Sequence, residues 1–182
     1  MLTAEQKIDK MHLMLKMVTE GLSRSNHQVL FYDTRFLNIY ESRGMFDKSK
    51  KSARGGLGKI GRDVDEAVRC DSFIQTYLKV SGDKLPLRKI DPVALYEAFK
   101  VYNTIYSSDE IDINTAVHLV NAVMVGRVST AKCYDGCGKV YFTLSNSIRR
   151  NCPNCRKIQR VERKLRTQSQ NDGEVQKIYA NV

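Results

Sequence analysis

The chain has 182 residues, of which 42% are hydrophobic and 27% charged, and its formal net charge is +10. These proportions are typical of globular proteins and exclude a disordered chain. No apolar run approaches the roughly 20 residues that a membrane-spanning helix needs. The first ten residues lack the apolar region of a secretory signal, so we expect a cytoplasmic protein whose thiols stay reduced.

The positive charge is concentrated in two blocks of the sequence. Residues 48–62 hold six basic side chains and no acidic one, and residues 132–166 hold ten basic and two acidic side chains. Because an ordinary solvated surface would scatter its charge, this concentration indicates a surface for a polyanion, most simply nucleic acid. An acidic protein partner is the alternative. The first block supplies the candidate DNA contacts Lys48, Lys50, Lys51, Arg54, Lys59 and Arg62.

The beginning of the chain has the pattern of a capped helix. Thr3 and Gln6 have the spacing of a capping box, in which the two side chains bind each other's backbone N–H groups. Apolar residues then recur at steps of three and four, the period of a helix that buries one face in a core or against a partner. That predicted stripe consists of Ile8, Met11, Leu15, Val18 and Leu22.

Residues 29–43 carry a second helical pattern, preceded by a polar break at 25–27. Asp33 or Thr34 is the expected N-cap, and Gly44 is the expected stop. A helix, a break and a shorter helix can form a DNA-reading helix-turn-helix, although most such pairs are only packing units. The candidate reading residues are Thr34, Arg35 and Asn38.

The segment 44–62 is rich in Gly and Lys and predicts a mobile basic loop. Its GGLGKIG stretch resembles a phosphate-binding loop, but that motif needs a Gly where Ala53 stands and a Ser or Thr where Ile60 stands. A nucleotide-hydrolysing enzyme is therefore not expected, and we predict that the chain is not an enzyme.

Three further helices follow, which makes the predicted fold mainly α. One covers 63–80, a second runs from the Asp91–Pro92 cap to about Tyr106, and a third begins at Asp112 or Asn114 and ends near Gly126. The third is apolar nearly all round, so it is the expected centre of the core. His118 and Cys70 are expected to be packed inside these helices without a catalytic role.

Four cysteines near the C-terminus have the spacing C-x₃-C-x₁₄-C-x₂-C. Two close pairs about 15 residues apart are typical of structural zinc sites, in which four thiolates surround one Zn²⁺. Free thiols and disulfides are the alternatives, and a reducing compartment disfavours the latter. A nucleobase deaminase would need a His-x-Glu motif, which the sequence lacks. The predicted ligands of one structural zinc are Cys133, Cys137, Cys152 and Cys155.

The sequence thus predicts a multi-helix body over 1–128, a small zinc-ribbon-like module with four cysteine ligands over 129–166, and a flexible, disordered tail over 167–182. KVYFTL between the cysteine pairs predicts a strand of the ribbon. Residues 156–166 are able to continue as a basic helix. Arg149, Arg150 and Arg156 are the candidates for base contacts, since Arg suits guanine and phosphate. The full set of candidate DNA contacts in the second block is Lys139, Arg149, Arg150, Arg156, Lys157 and Arg160.

Several features follow one another in a specific order. They are an N-terminal helix, RFLNIYESRG at 35–44, a basic Gly-containing loop, LYEAFKVYNTIY at 95–106, VHLVNAVMVGRV at 117–128, and the four-cysteine module with the basic residues after it. In this order and spacing, the chain resembles the FlhC family of transcription activator subunits. The C-x₃-C pair replaces the C-x₂-C of flagellar members, and 45–62 lacks their Pro- and Trp-containing segment. These departures favour a relative that activates conjugative transfer genes on a mobile element.

The resemblance implies a hetero-oligomer with a small helical FlhD-like protein. It further implies sequence-specific binding to duplex DNA upstream of promoters and recruitment of RNA polymerase. The regulated genes would be flagellar or conjugative. The competing function is that of a zinc-ribbon RNA-binding protein, which would share the charge and the zinc but would not need the large apolar body.

Overall fold

The computed structural model describes residues 3–32, 36–46, 57, 63–82, 85, 88–134, 136–147 and 150–179, without the side chains of 4 and 169–179. Within these ranges the chain forms a mainly helical body followed by a two-stranded hairpin and a long helix. The elements are α1 (Ala4–Thr19), α2 (Arg24–Phe31), α3 (Leu37–Ser42), α4 (Val64–Val80), α5 (Pro92–Ile105), α6 (Ile113–Met124), β1 (Val128–Lys132), β2 (Val140–Leu144) and α7 (Pro153–Tyr179).

Three of the described body helices begin with the side-chain caps that the sequence predicts. The Thr3 hydroxyl accepts the Gln6 N–H at 3.2 Å, and the Gln6 side chain accepts the Thr3 N–H at 3.0 Å, which confirms the capping box. Asp91 caps α5 and Asp112 caps α6, each by accepting backbone N–H groups of the first turn. These bonds satisfy N–H groups that have no partner within the helix.

The buried face of α1 differs from the predicted stripe. Met14 and Met17 are fully buried, whereas Ile8, Met11 and Leu15 are 53%, 41% and 39% exposed. The apolar residues of this helix form two overlapping stripes, and spacing alone does not decide which stripe the body covers. The prediction was right for Val18 and Leu22, which both lie in the core.

The break after α1 also lies elsewhere than predicted. Ser23 caps α2 by accepting the Asn26 N–H, so the polar residues 25–27 lie inside a helix rather than in a break. The chain turns before α2, at Gly21 with φ +94°, and again after it, at Tyr32 with φ +51°. Helix α3 begins after Phe36 without a side-chain capping bond, and the predicted caps Asp33 and Thr34 lie outside the described residues.

The end of α3 confirms the predicted stop at Gly44. This glycine has φ +65°, and its N–H donates to the Glu41 carbonyl while the Met45 N–H donates to the Tyr40 carbonyl. The two bonds are those of a Schellman motif, which needs a residue that adopts positive φ without strain.

The core of the body lies among α4, α5 and α6, with α1 and α2 packed against them. Phe73 of α4 and Tyr102 of α5 meet edge to face with their ring centroids 5.6 Å apart. At the start of α6, Asn114 is not the cap, and its buried side chain binds the turn between α1 and α2. Its side-chain oxygen accepts the Ser23 N–H at 2.7 Å, and its amide group donates to the Gly21 carbonyl at 2.9 Å. These two hydrogen bonds hold the α1–α2 turn against the core.

The hairpin joins the body to the cysteines. Strands β1 and β2 pair antiparallel, with Val128 opposite Leu144 and Lys132 opposite Val140. The predicted strand over KVYFTL is confirmed as β2, but β1 was not predicted. Phe142 belongs to the core of the body, whereas its neighbour Tyr141 packs with the cysteines. Strand β2 therefore lies between the core of the body and the cysteine cluster and contributes a side chain to each.

Helix α7 spans Pro153–Tyr179, so its backbone includes residues 167–179 of the predicted flexible tail. Among the described residues, no helix is both long and apolar enough to cross a membrane.

Candidate metal centre

The four predicted cysteine ligands meet at one point between the hairpin and α7. Cys133 follows β1, Cys137 lies in the turn before β2, Cys152 immediately precedes α7, and Cys155 lies in its first turn. Their sulfur atoms all lie within 4.8 Å of one another. The Cys137 and Cys152 sulfurs are 3.7 Å apart. Four sulfurs bound tetrahedrally to one ion at about 2.3 Å would be about 3.8 Å apart, so this spacing fits a metal site.

Backbone N–H groups point at the sulfurs. The Cys152 N–H donates to the Cys133 sulfur at 3.3 Å, and the Cys155 N–H donates to the Cys152 sulfur at 3.4 Å. The first of these bonds lowers the pKa of Cys133 to about 7, because it stabilises the thiolate. Burial raises the pKa of Cys152 to about 12. Four thiolates this close repel one another, so full ionisation requires a cation among them.

Gly136 gives the clearest sign that the cluster is built around its sulfurs. A Cβ atom at this position would lie 2.7 Å from the Cys155 sulfur and 3.0 Å from the Cys133 sulfur. The first distance is shorter than Cβ contacts in proteins, so any residue other than glycine would force the loop or the sulfurs to shift. Gly138, on the other side of Cys137, has φ +69° and open space around it. The two glycines thus serve different needs, close approach and backbone conformation.

Two backbone hydrogen bonds hold the cysteine loops together. The Cys133 N–H donates to the Lys139 carbonyl at 2.9 Å and closes the first loop. The Tyr134 N–H donates to the Arg150 carbonyl at 3.0 Å and ties the first loop to the second. Pro153 then begins α7, a position where its missing N–H costs nothing. The ligand positions are therefore preorganised by the backbone on both sides.

A buried carboxylate of the body anchors the module. Asp71 of α4 is 8% exposed and accepts the Phe142 N–H at 2.8 Å. Burial raises the pKa of Asp71, although the hydrogen bonds from Phe142 and Gln75 oppose the rise. Sequence reasoning missed this contact, because an acidic residue in the middle of a helix usually faces solvent.

The basic residues that follow Cys155 form one face of α7. Arg156, Arg160, Arg163 and Lys164 line a surface groove together with Val64, the first residue of α4. Positions 156, 160 and 163 differ by four and three residues, which places them on one side of a helix. On the neighbouring face, Lys157 binds Asp65 of α4 at 2.8 Å. Hydrogen bonding to Lys157 lowers the pKa of that carboxyl.

The predicted nucleic-acid contacts are only partly brought together. Lys139 and Arg150 are exposed on the cysteine loops, Arg156 and Arg160 lie in the groove, and Asn38 is exposed on α3. Arg163 and Lys164 share the groove with Arg156 and Arg160, and the spacing of the basic residues along the helix would have pointed to them. The remaining candidates fall outside the described residues, namely Lys48, Lys50, Lys51, Arg54, Lys59, Arg62, Arg149, Thr34 and Arg35.

Two histidines and one cysteine stay outside the centre. His27 is fully buried among aromatic rings, with the Phe31 ring centroid 5.0 Å away. His118 is half-buried in α6, and burial lowers its pKa. Cys70 is buried in the core of the body, and burial raises the pKa of its thiol. The packed roles predicted for His118 and Cys70 agree with these positions.

No family model matches the chain, and no curated protein matches it.

Proposed function

We propose that the chain is the DNA-binding subunit of an FlhC-like transcription activator, in which a structural zinc centre holds a basic surface against duplex DNA. The single observation that carries the proposal is the continuity of the cysteine site with the basic face. Cys155, a ligand position, lies in the first turn of α7, and Arg156 and Arg160 follow on the same helix. Whatever fixes the sulfurs also fixes the direction of the basic helix.

Zinc is the proposed ion because its donors here are four cysteines. Thiolate ligands select soft or borderline metals, and four of them in a tetrahedral cluster are typical of structural zinc or an iron–sulfur centre. With all four ligand positions supplied by Cys133, Cys137, Cys152 and Cys155, none is left for a reacting water, so the ion would cross-link the chain and not catalyse a reaction.

Duplex DNA is the proposed ligand because the module combines charge with a rigid support. Arg150 and Lys139 are exposed beside the cysteine loops, and the groove residues continue the charge along α7. The loop that leads to Cys152 is able to present Arg150 to base edges, where one bidentate Arg–guanine pair discriminates by about 1–3 kcal/mol. Arg149, which lies outside the described residues, stays a candidate from the sequence alone.

A helical FlhD-like partner is proposed on the strength of exposed apolar stripes together with the resemblance. Ile8, Met11 and Leu15 on α1 are more than a third exposed at helical spacing. Contiguous apolar stripes on a surface are typical of sites where another protein binds. Recruitment of RNA polymerase, and a role in flagellar or conjugative-transfer genes, are carried over from the family resemblance.

The proposal is tested by duplex pull-down with sequencing, using the zinc-loaded full chain with and without the protein encoded next to it. We expect enrichment of a defined upstream sequence, stronger when the partner is present. Arg150→Gln should erode the preference for that sequence over random duplex, whereas Arg88→Gln, an exposed arginine of the body before α5, is the matched control. Enrichment of structured RNA over duplex DNA would instead support the alternative, a zinc-ribbon RNA-binding protein.

A further inference from the structure

The groove between the start of α4 and the basic face of α7 is a strongly charged concavity. It has a volume of about 860 Å³. One wall is the apolar side chain of Val64, and the rest comes from one side of α7. The residues that α7 contributes are Arg156, Arg160, Arg163, Lys164, Thr167 and Gln168.

The charge of this groove is of one sign. Among the described residues that line it, four side chains are basic and none is acidic. Asp65, which follows Val64 on α4, is bound to Lys157 and also attracts Arg160 electrostatically. Within the described part of the chain, no carboxylate forms an ion pair with Arg160, Arg163 or Lys164. Side chains of like charge gathered on one face repel one another, which a bound polyanion would relieve.

The dimensions of the basic face suit a nucleic-acid strand. Positions 156 to 167 extend for about 16 Å along the helix axis at ~1.5 Å per residue. Because a strand winds around the duplex axis, its successive phosphates are farther apart than the ~3.4 Å rise along that axis, and a groove of this length contacts a few consecutive phosphates. A small anion would engage only one end of the groove, and an apolar ligand would meet only Val64.

We infer that this groove receives the phosphodiester backbone of the bound duplex, with Arg160, Arg163 and Lys164 as contacts to phosphate. The inference rests on the proposed function and assigns base contacts and phosphate contacts to different residues of the module. The cysteine loops carry the sequence-reading arginines, whereas the groove supplies affinity that does not depend on sequence. Contacts to phosphate fix position and register, and contacts to base edges specify. Arg163 and Lys164 are thereby added to the DNA contacts that the sequence predicted.

The test is the salt dependence of duplex binding, measured by fluorescence anisotropy on the zinc-loaded full chain with specific and random duplexes. Arg160→Gln, Arg163→Gln and Lys164→Gln should weaken binding to both duplexes by the same factor. Each lost phosphate contact should also flatten the slope of log K against log salt by about 0.9. Arg166→Gln is the matched control, because it removes the same charge from α7 outside the groove.

The outcomes separate the two proposals. If the wild-type chain binds duplex DNA but the three groove variants behave like Arg166→Gln, the groove inference is overturned and the proposed function stands. A groove variant that lowers binding to the specific duplex alone also overturns it, since the residue would then read bases. If the zinc-loaded wild-type chain binds no duplex DNA even at low salt, or prefers RNA, both fall. Unchanged zinc content and circular dichroism check that each variant is folded.

Discussion

The helical body and the cysteine module are stabilised by different physics. The body buries a continuous set of aliphatic and aromatic side chains, such as Phe73, Leu95 and Val120. The cluster around the cysteines buries few side chains, chiefly Tyr141 with two of the cysteines themselves. Apolar burial at about 25 cal/mol per Å² is enough to fold the first but not the second. We therefore expect the module to need two supports from outside its own core, the proposed metal and the body.

Removal of one metal ligand should unfold the module and leave the body folded. Cys152→Ser should abolish metal binding and unfold the module, because binding and folding of such sites are coupled and metal contributes about 10 kcal/mol or more. The body should keep its helical circular dichroism and a cooperative unfolding transition. Cys70→Ala is the matched control, since it removes a buried thiol of the body and should leave the zinc content unchanged. Loss of zinc in both variants would contradict the claim that the body and the module are stabilised separately.

Gly136→Ala should weaken the metal site without removing a ligand. The new methyl group would meet the Cys155 and Cys133 sulfurs at 2.7 and 3.0 Å. We expect zinc affinity to fall about tenfold or more, the size of effect seen when the surroundings of metal ligands are disturbed. Competition with a chromogenic chelator measures it.

Gly138→Ala is the control for backbone strain alone. Its φ of +69° makes alanine unfavourable by about 1–2 kcal/mol, yet nothing lies within 4 Å of the added atom. Equal zinc affinity in the two variants would show that close approach to the sulfurs is not what requires glycine at 136.

The second support is the contact between Asp71 and β2. Asp71→Ala leaves the buried Phe142 N–H without its acceptor, which should cost about 1–3 kcal/mol in the free energy of unfolding. The loss should appear as faster amide hydrogen exchange along β2 while zinc stays bound. Exchange that stays unchanged in β2 would mean that the hairpin is held by the metal alone.

The pH dependence of the same contact has a definite sign. Because burial raises the pKa of Asp71, the folded state holds more protons than the unfolded state between about pH 4 and that raised value. The free energy of unfolding attributable to this group therefore falls as pH rises through the window. Asp71→Asn keeps an acceptor and does not titrate, so it should gain stability relative to wild type as pH rises. A relative loss over that range would contradict the assignment.

A much smaller change is expected at the exposed ion pair between the body and α7. Asp65 and Lys157 are both more than half exposed, so Asp65→Asn should change stability by less than about 1 kcal/mol. It should nevertheless make duplex binding slightly tighter, because Lys157 is released to solvent beside the groove. The anisotropy assay at low salt measures this, and a weaker affinity would mean that Asp65 orients α7.

Local chemistry in the sequence predicted much of this fold. Caps at Thr3, Asp91 and Asp112 and the glycine stop at 44 were predictable because each is decided within a few residues. The cysteine site was predictable because four ligands at short spacings have few other uses.

What the sequence did not reveal is decided by contacts distant along the chain. The choice between the two stripes of α1 depends on what packs against Met14 and Met17. The turn at Tyr32 competes with a continuous helical pattern. Strand β1 exists because β2 pairs with it, and Asp71 is buried because the hairpin covers it. The groove likewise forms only where α7 passes the start of α4.

Whether a bound ion holds the module is decided most directly by the metal content of the purified, fully reduced chain. Elemental mass spectrometry measures it for the wild type and for Cys152→Ser. We predict one zinc per wild-type chain and almost none in the variant. Less than half a zinc per wild-type chain, or equal zinc in both proteins, would contradict a metal-held module.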